Sequence, residues 1–222
     1  VRSLAAIRDP ATFRRFLTLL ATRHGQMLNK SDLAAPLGMS VPGIGRWLDI
    51  LETAAQILLI PPWFENLGKR LIKSPKLYIA DSGLACHLLG IETERELGTS
   101  PFLGALFEGL VASEIVKAQT AAGRRRELYW FRDQQGLEVD FLMPLPGGGV
   151  RLVEAKATAT PLPQMALPMQ RLAASWRTHT RPTGTIEMLL VHQPRRGGAP
   201  AHALAPGVRA LPWREFARNA LA

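Results

Sequence analysis

The chain has 222 residues, with 27 Lys and Arg against 18 Asp and Glu, a formal net charge of +9 and 47% hydrophobic residues. This globular composition allows one large domain or two smaller ones, and the positive balance favours a polyanionic partner over an acidic small molecule. A single cysteine, Cys86, excludes an internal disulfide and a cysteine-based zinc site.

The histidines at 24, 87, 179, 192 and 202 show no close ligand spacing, which argues against a His-rich metal site. No apolar run reaches the roughly 18 residues that span a bilayer, and no signal peptide opens the chain. A cytoplasmic setting without a membrane partner is expected.

Along the first hundred residues, Phe13, Phe16, Leu17 and Leu20 recur at helical spacing over 12–22. Ser31 is the expected cap of a short helix that Pro36 closes. Gly38 then turns the chain. Ser40 caps a second helix, with Pro42 in its first turn and Ile44, Trp47, Leu48 and Leu51 on one face. Strand-like residues follow at 56–60. This order outlines a winged helix-turn-helix. Two uses stay open. The helix over 41–54 reads DNA through Arg46, or the unit packs against another protein domain; the scarcity of Arg, Lys, Asn and Gln on its exposed face favours packing.

Residues 69–79 read KRLIKSPKLYI, two short strands around a Ser-Pro turn. Lys69, Arg70, Lys73 and Lys76 would form a basic wing suited to phosphates; a charge run of this kind is also commonly just solvated surface. Asp81 or Ser82 caps a helix to Leu89. The polar stretch 91–100 is the expected connector, dividing the chain at 95/96.

A wide apolar stripe marks a helix over 101–119, with Glu108 among its members. Arg124, Arg125 and Arg126 make a basic corner after it. Strands are expected at 127–132, 137–143 and 150–156, joined by short turns as an antiparallel meander. A helix over 165–176 and a buried strand at 185–192 follow. The stretch 195–207 reads as loop, ahead of a short strand and a closing helix.

Strand periodicity puts Glu138 and Asp140 on one face of the second strand, and Glu154 and Lys156 on one face of the third. A hairpin then gathers Asp140, Glu154 and Lys156. Two carboxylates and a lysine in a sheet are costly unless a cation or a hydrogen-bond network compensates. Metal-dependent phosphodiester hydrolysis uses this set. Asp140 and Glu154 offer hard oxygen ligands for Mg²⁺ or Mn²⁺, the Ala155 carbonyl a further one, and Lys156 a cation for the attacking water or the phosphate. Glu108 is a candidate ligand from the preceding helix, and Glu138 an outer ligand or partner of Lys156. A structural ion-pair network is the alternative.

Asp140, thirteen residues and then Glu154-Ala155-Lys156 resembles the D…(D/E)xK signature of the PD-(D/E)xK nuclease superfamily. The expected αβββαβ order is similar to that fold, and GALFEGLVASEI to the helix bearing its further Glu. More widely, NKSDLAAPLGMS, RWLDILE, KSPKLYIADSGLA, GALFEGLVASEI, LEVDFLM and LVEAK look like blocks of the C-terminal region of prokaryotic AAA-type ATP-binding proteins, a region of unknown function. The resemblance implies an α/β (α+β) chain: a winged helix over 1–95, then a nuclease-like domain over 96–222. It implies DNA as partner and an ATPase domain normally in the same chain. No GxxxxGK[ST] loop is present, so no ATP is expected to bind here. Val139 stands where the signature has Pro. The chain opens in what would be the joining segment, so a fragment is expected. Non-catalytic DNA binding, protein interaction and self-association stay open.

Overall fold

The computed structural model describes residues 9–63, 74–179, 184–194 and 200–218. The chain divides into two compact units, Val1–Ile60 with Ser74–Leu110 and Pro61–Lys73 with Val111–Ala222.

The first unit opens with α1 (Pro10–Ala21). The Asp9 carboxylate accepts from the Ala11 and Thr12 N–H groups, and Pro10 occupies the first turn. This cap starts the helix two residues before the apolar stripe does. After β1 (Gln26–Met27), α2 (Lys30–Ala34) is capped by Asn29, not by Ser31, because the Asn29 side chain accepts from the Ser31 N–H. Pro36 lies in a following 3₁₀ turn, and Gly38 ends it at φ 62°. α3 (Val41–Thr53) is capped by Ser40 and buries Ile44, Trp47, Leu48 and Leu51.

β2 (Ile57–Ile60) and β3 (Lys76–Ile79) pair antiparallel, with β1 on the other side of β3. The first strand expected in the basic wing, with Lys69, Arg70 and Lys73, lies outside the described residues. α4 (Ser82–Leu88) takes its cap from Asp81. The stretch read as a connector contains α5 (Glu94–Thr99), held by a reciprocal capping box between Thr93 and Glu96. Phe16, Leu20, Leu33, Ile44, Leu48, Ile57 and Leu77 share one core. α6 (Leu103–Ala121) belongs to this unit as far as Leu110.

In the second unit β4 (Tyr129–Arg132), β5 (Glu138–Leu145) and β6 (Gly149–Lys156) form the expected antiparallel meander. α7 (Leu167–His179) then leads to β7 (Ile186–His192), which runs parallel to β6. The element order from α6 to β7 is helix, three strands, helix, strand. The stretch read as loop instead holds an edge strand, β8 (His202–Ala205), which turns at Gly207 into β9 (Val208–Pro212). Gly207 takes φ 73°, a value that favours glycine. α8 (Trp213–Arg218) closes the described chain. The mixed sheet runs β4-β5-β6-β7-β9-β8. Its covered face buries Val139, Leu142, Leu152, Met188 and Leu190 against Leu172 and Trp176 of α7. The chain is thus a mixed α/β structure. No helix among the described residues is long and apolar enough to cross a membrane.

Candidate functional site

The β5–β6 ladder ends at Phe141↔Val153. Beyond that pair the Ala155 N–H still needs an acceptor, because a buried backbone donor left alone is costly. The Asp140 carboxylate supplies it, with Oδ2 2.9 Å from the Ala155 nitrogen. A bulge helps to set this position. Tyr129 pairs with Leu142 but Phe131 pairs with Val139, so β5 carries one more residue than β4 there. Val139 and Leu142, three residues apart, consequently enter the same core. Period-two alternation therefore breaks at Asp140, and the rule that put Glu138 on its face does not carry across. Glu138 instead sits opposite Arg132 on β4, its Oε2 3.6 Å from Nη1.

Glu154 is 4% exposed and Asp140 7%. Lys156 Nζ donates to Glu154 Oε1 at 2.6 Å, while Glu154 Oε2 is buried with no hydrogen-bond partner. Burial pushes the Glu154 carboxyl up to about 8, and the Asp140 charge adds to the rise; the Lys156 ammonium opposes it. A proton or a cation on Oε2 would relieve this arrangement. Asp140, Glu154 and Lys156 are thus brought together at one end of β6. Among the described residues no group of three or more His, Cys, Asp or Glu stands placed to hold a metal ion. A cavity of about 570 Å³ beside the 133–136 turn and the start of α7 is lined by Glu138 and Arg171, but not by Asp140, Glu154 or Lys156.

Glu108 is engaged within the first unit. Its Oε1 accepts from Lys76 Nζ at 2.8 Å and from Tyr78 Oη at 2.5 Å. Lys76 is therefore not on the exposed face of a wing. It is 4% exposed, because its position on β3 turns it toward a carboxylate that neutralises it. His24 lies beside Tyr78, their ring centroids 5.5 Å apart, and its Nδ1 accepts from the Ile79 N–H at 3.0 Å.

Arg46 is exposed on α3 and lines a hollow with Asp9, Thr12 and Trp47. Arg124, Arg125 and Arg126 are exposed after α6. Arg124 and Arg125 line a hollow of about 330 Å³ with Arg151 and Glu187, which form an ion pair at 2.8 Å. That hollow lies at the starts of β6 and β7, whereas Glu154 and Lys156 lie at the end of β6. Lys69, Arg70 and Lys73 fall outside the described residues.

Two curated relatives are similar to this chain in sequence. An uncharacterized protein of Mycobacterium tuberculosis (strain ATCC 25618 / H37Rv) is 40% identical over 156 residues, 70% of this chain and 34% of its own length. An uncharacterized protein of Mycobacterium bovis (strain ATCC BAA-935 / AF2122/97) matches with the same identity and coverage. The chain spans about a third of the length of these relatives. No solved structure matches the chain. Residues 1–95 match a Domain of unknown function (DUF8612), and residues 103–186 match a Domain of unknown function (DUF4143).

Proposed function

We propose that the second unit is a metal-dependent, DNA-acting nuclease-like module of PD-(D/E)xK type, and that the first unit is a winged helix-turn-helix. In this reading the chain is the C-terminal part of an AAA-type ATPase family protein. The observation that carries the nuclease reading is the convergence of Asp140, Glu154 and Lys156, with one buried Glu154 oxygen left without a partner. The helix, three-strand, helix, strand order supports it. The three-stranded sheet of β1 with β2 and β3, the last two following α3, supports the winged helix, and the greater length of the relatives supports a larger parent protein.

Asp140 and Glu154 would hold Mg²⁺ or Mn²⁺, which when bound supplies Lewis-acid polarisation of a phosphodiester. The chain's own residues do the rest. The Ala155 N–H fixes the Asp140 carboxylate, and Lys156 holds a positive charge beside Glu154 where an anionic phosphate or an attacking water would sit. Arg124 to Arg126 contribute backbone attraction.

One observation favours a second reading, a non-catalytic DNA-binding, regulatory or protein-interaction module: only two carboxylates converge among the described residues. Cleavage assays separate the two. Wild-type chain with Mn²⁺ or Mg²⁺ is offered supercoiled, linear and single-stranded DNA and RNA. The nuclease reading expects cleavage that falls at least about a hundredfold in Asp140→Asn and Lys156→Met. No cleavage of any substrate by the wild type, with salt-dependent DNA binding that survives Asp140→Asn, would overturn it in favour of the second reading.

A further inference from the structure

His192 and His202 are ten residues apart in sequence, yet the sheet brings them together. His192 stands on β7 opposite Lys156 on one side and Pro212 of β9 on the other. His202 stands on β8 opposite Ala210, which itself pairs with Leu190. Residues paired across strands project to the same face. Leu190 lies on the face covered by α7, so both imidazoles rise from that face. Their ring centroids are 6.4 Å apart at 76° between planes.

The nitrogens of this pair are unusually available. His192 is 2% exposed, its ring nitrogens make no close hydrogen bond, and the Thr158 backbone is a longer-range acceptor for one of them. A buried imidazole whose other nitrogen has no partner is costly unless something occupies it. His202 is exposed, and its Nδ1 lies 3.1 Å from the Pro200 carbonyl oxygen. With the proton on Nδ1 this contact is a hydrogen bond and Nε2 keeps its lone pair. A backbone carbonyl orients a ligating imidazole in this way. Burial holds His192 below the ordinary imidazole range and so favours its neutral form, the form that ligates.

We propose that His192 and His202 form a two-imidazole site for a borderline-soft divalent transition-metal ion of the Zn²⁺ or Ni²⁺ class. Imidazole pairs select such ions, whereas the oxygen donors of Asp140 and Glu154 select Mg²⁺ or Mn²⁺. Nitrogen–zinc bonds of about 2.0–2.1 Å put each ring centroid roughly 3.2 Å from the ion. Tetrahedral ligation would bring the centroids to about 5 Å, a closure of about 1 Å that the exposed His202 ring can supply by rotation. Two protein ligands leave further positions open to a solvent or substrate oxygen. The site does not depend on whether Asp140 and Glu154 serve a nuclease.

Calorimetric titration of the full chain with Zn²⁺ and with Ni²⁺ tests this, alongside His202→Ala, His192→Gln, His87→Ala and Asp140→Asn, each first checked as folded by circular dichroism without metal. The expected result is saturable binding that weakens at least about tenfold in His202→Ala and in His192→Gln. It stays unchanged in His87→Ala, which alters an exposed histidine of the first unit. No saturable binding by the wild type, wild-type affinity in His202→Ala, or binding abolished by Asp140→Asn would overturn the proposal.

Discussion

Lys76 and Glu108, 32 residues apart in sequence, meet as a buried pair at 2.8 Å in the first unit. The sequence suggests two separate tasks for them, phosphate contact for Lys76 and metal ligation for Glu108. The fold gives them to each other, with Tyr78 donating to the same carboxylate oxygen. Removing one member of such a pair strands the other charge in a poorly solvated place. Lys76→Met should therefore lower the unfolding free energy by about 3 kcal/mol, read as a fall in the urea midpoint. Glu108→Gln should cost less, because the amide oxygen still accepts from Tyr78. A double variant Lys76→Met/Glu108→Gln that is as unstable as the sum of the singles would show no coupling, and would contradict the pairing.

His24 gives the first unit a pH-dependent weakness. Burial depresses its pKa from 6.5 to about 4. Between those values the unfolded chain binds a proton that the folded chain refuses. Its contribution is therefore complete above pH 6.5 and is lost as the pH falls toward 4, by about 3 kcal/mol in all. Denaturant titrations from pH 7 to pH 4 should show this loss, and His24→Gln should flatten it. An equally steep fall in the variant would assign the dependence elsewhere.

Glu154 works in the opposite direction. Its folded carboxyl titrates near 8 against an ordinary 4.5. Over that window the folded state holds the extra proton, so stability from this group is present at low pH and lost as the pH rises from 4.5 toward 8. In metal-free buffer, Glu154→Gln should melt at a temperature that gains on the wild type as the pH is raised from 5 to 8. A constant difference across that range would mean that Glu154 is ionised throughout.

The basic corner predicts a salt effect. Replacing Arg124, Arg125 and Arg126 together with alanine should weaken DNA binding and reduce the slope of log affinity against log salt by up to about 3, since each phosphate contact contributes about 0.9. Fluorescence anisotropy at several salt concentrations reads both quantities. An unchanged slope would remove these residues from the interface.

Local signals made much of this fold legible. The stripe of Ile44, Trp47, Leu48 and Leu51, the caps at Ser40 and Asp81, and the meander through Tyr129, Val139 and Val153 all follow from spacing and capping chemistry. The Asp140, Glu154 and Lys156 cluster was legible because a tight hairpin fixes its own register. What escaped depended on longer range. A bulge at Asp140 leaves no sequence mark, and Glu138 before it stands opposite Arg132. The burial of Lys76 depends on a partner on another element. β8 was hidden because its four residues, HALA, sit among Gly and Pro and gain their strand state only by pairing with β9. With β8 hidden, the approach of His202 to His192 was hidden too.

A crystal structure of the chain soaked in Mn²⁺, with anomalous data collected to locate the ion, decides whether Asp140 and Glu154 form a cation site. The expected result is an anomalous peak bonded by both carboxylates, with Glu154 Oε2 no longer without a partner. Mn²⁺ bound elsewhere on the chain, with no peak between Asp140 and Glu154 and the Lys156–Glu154 contact intact, would contradict it.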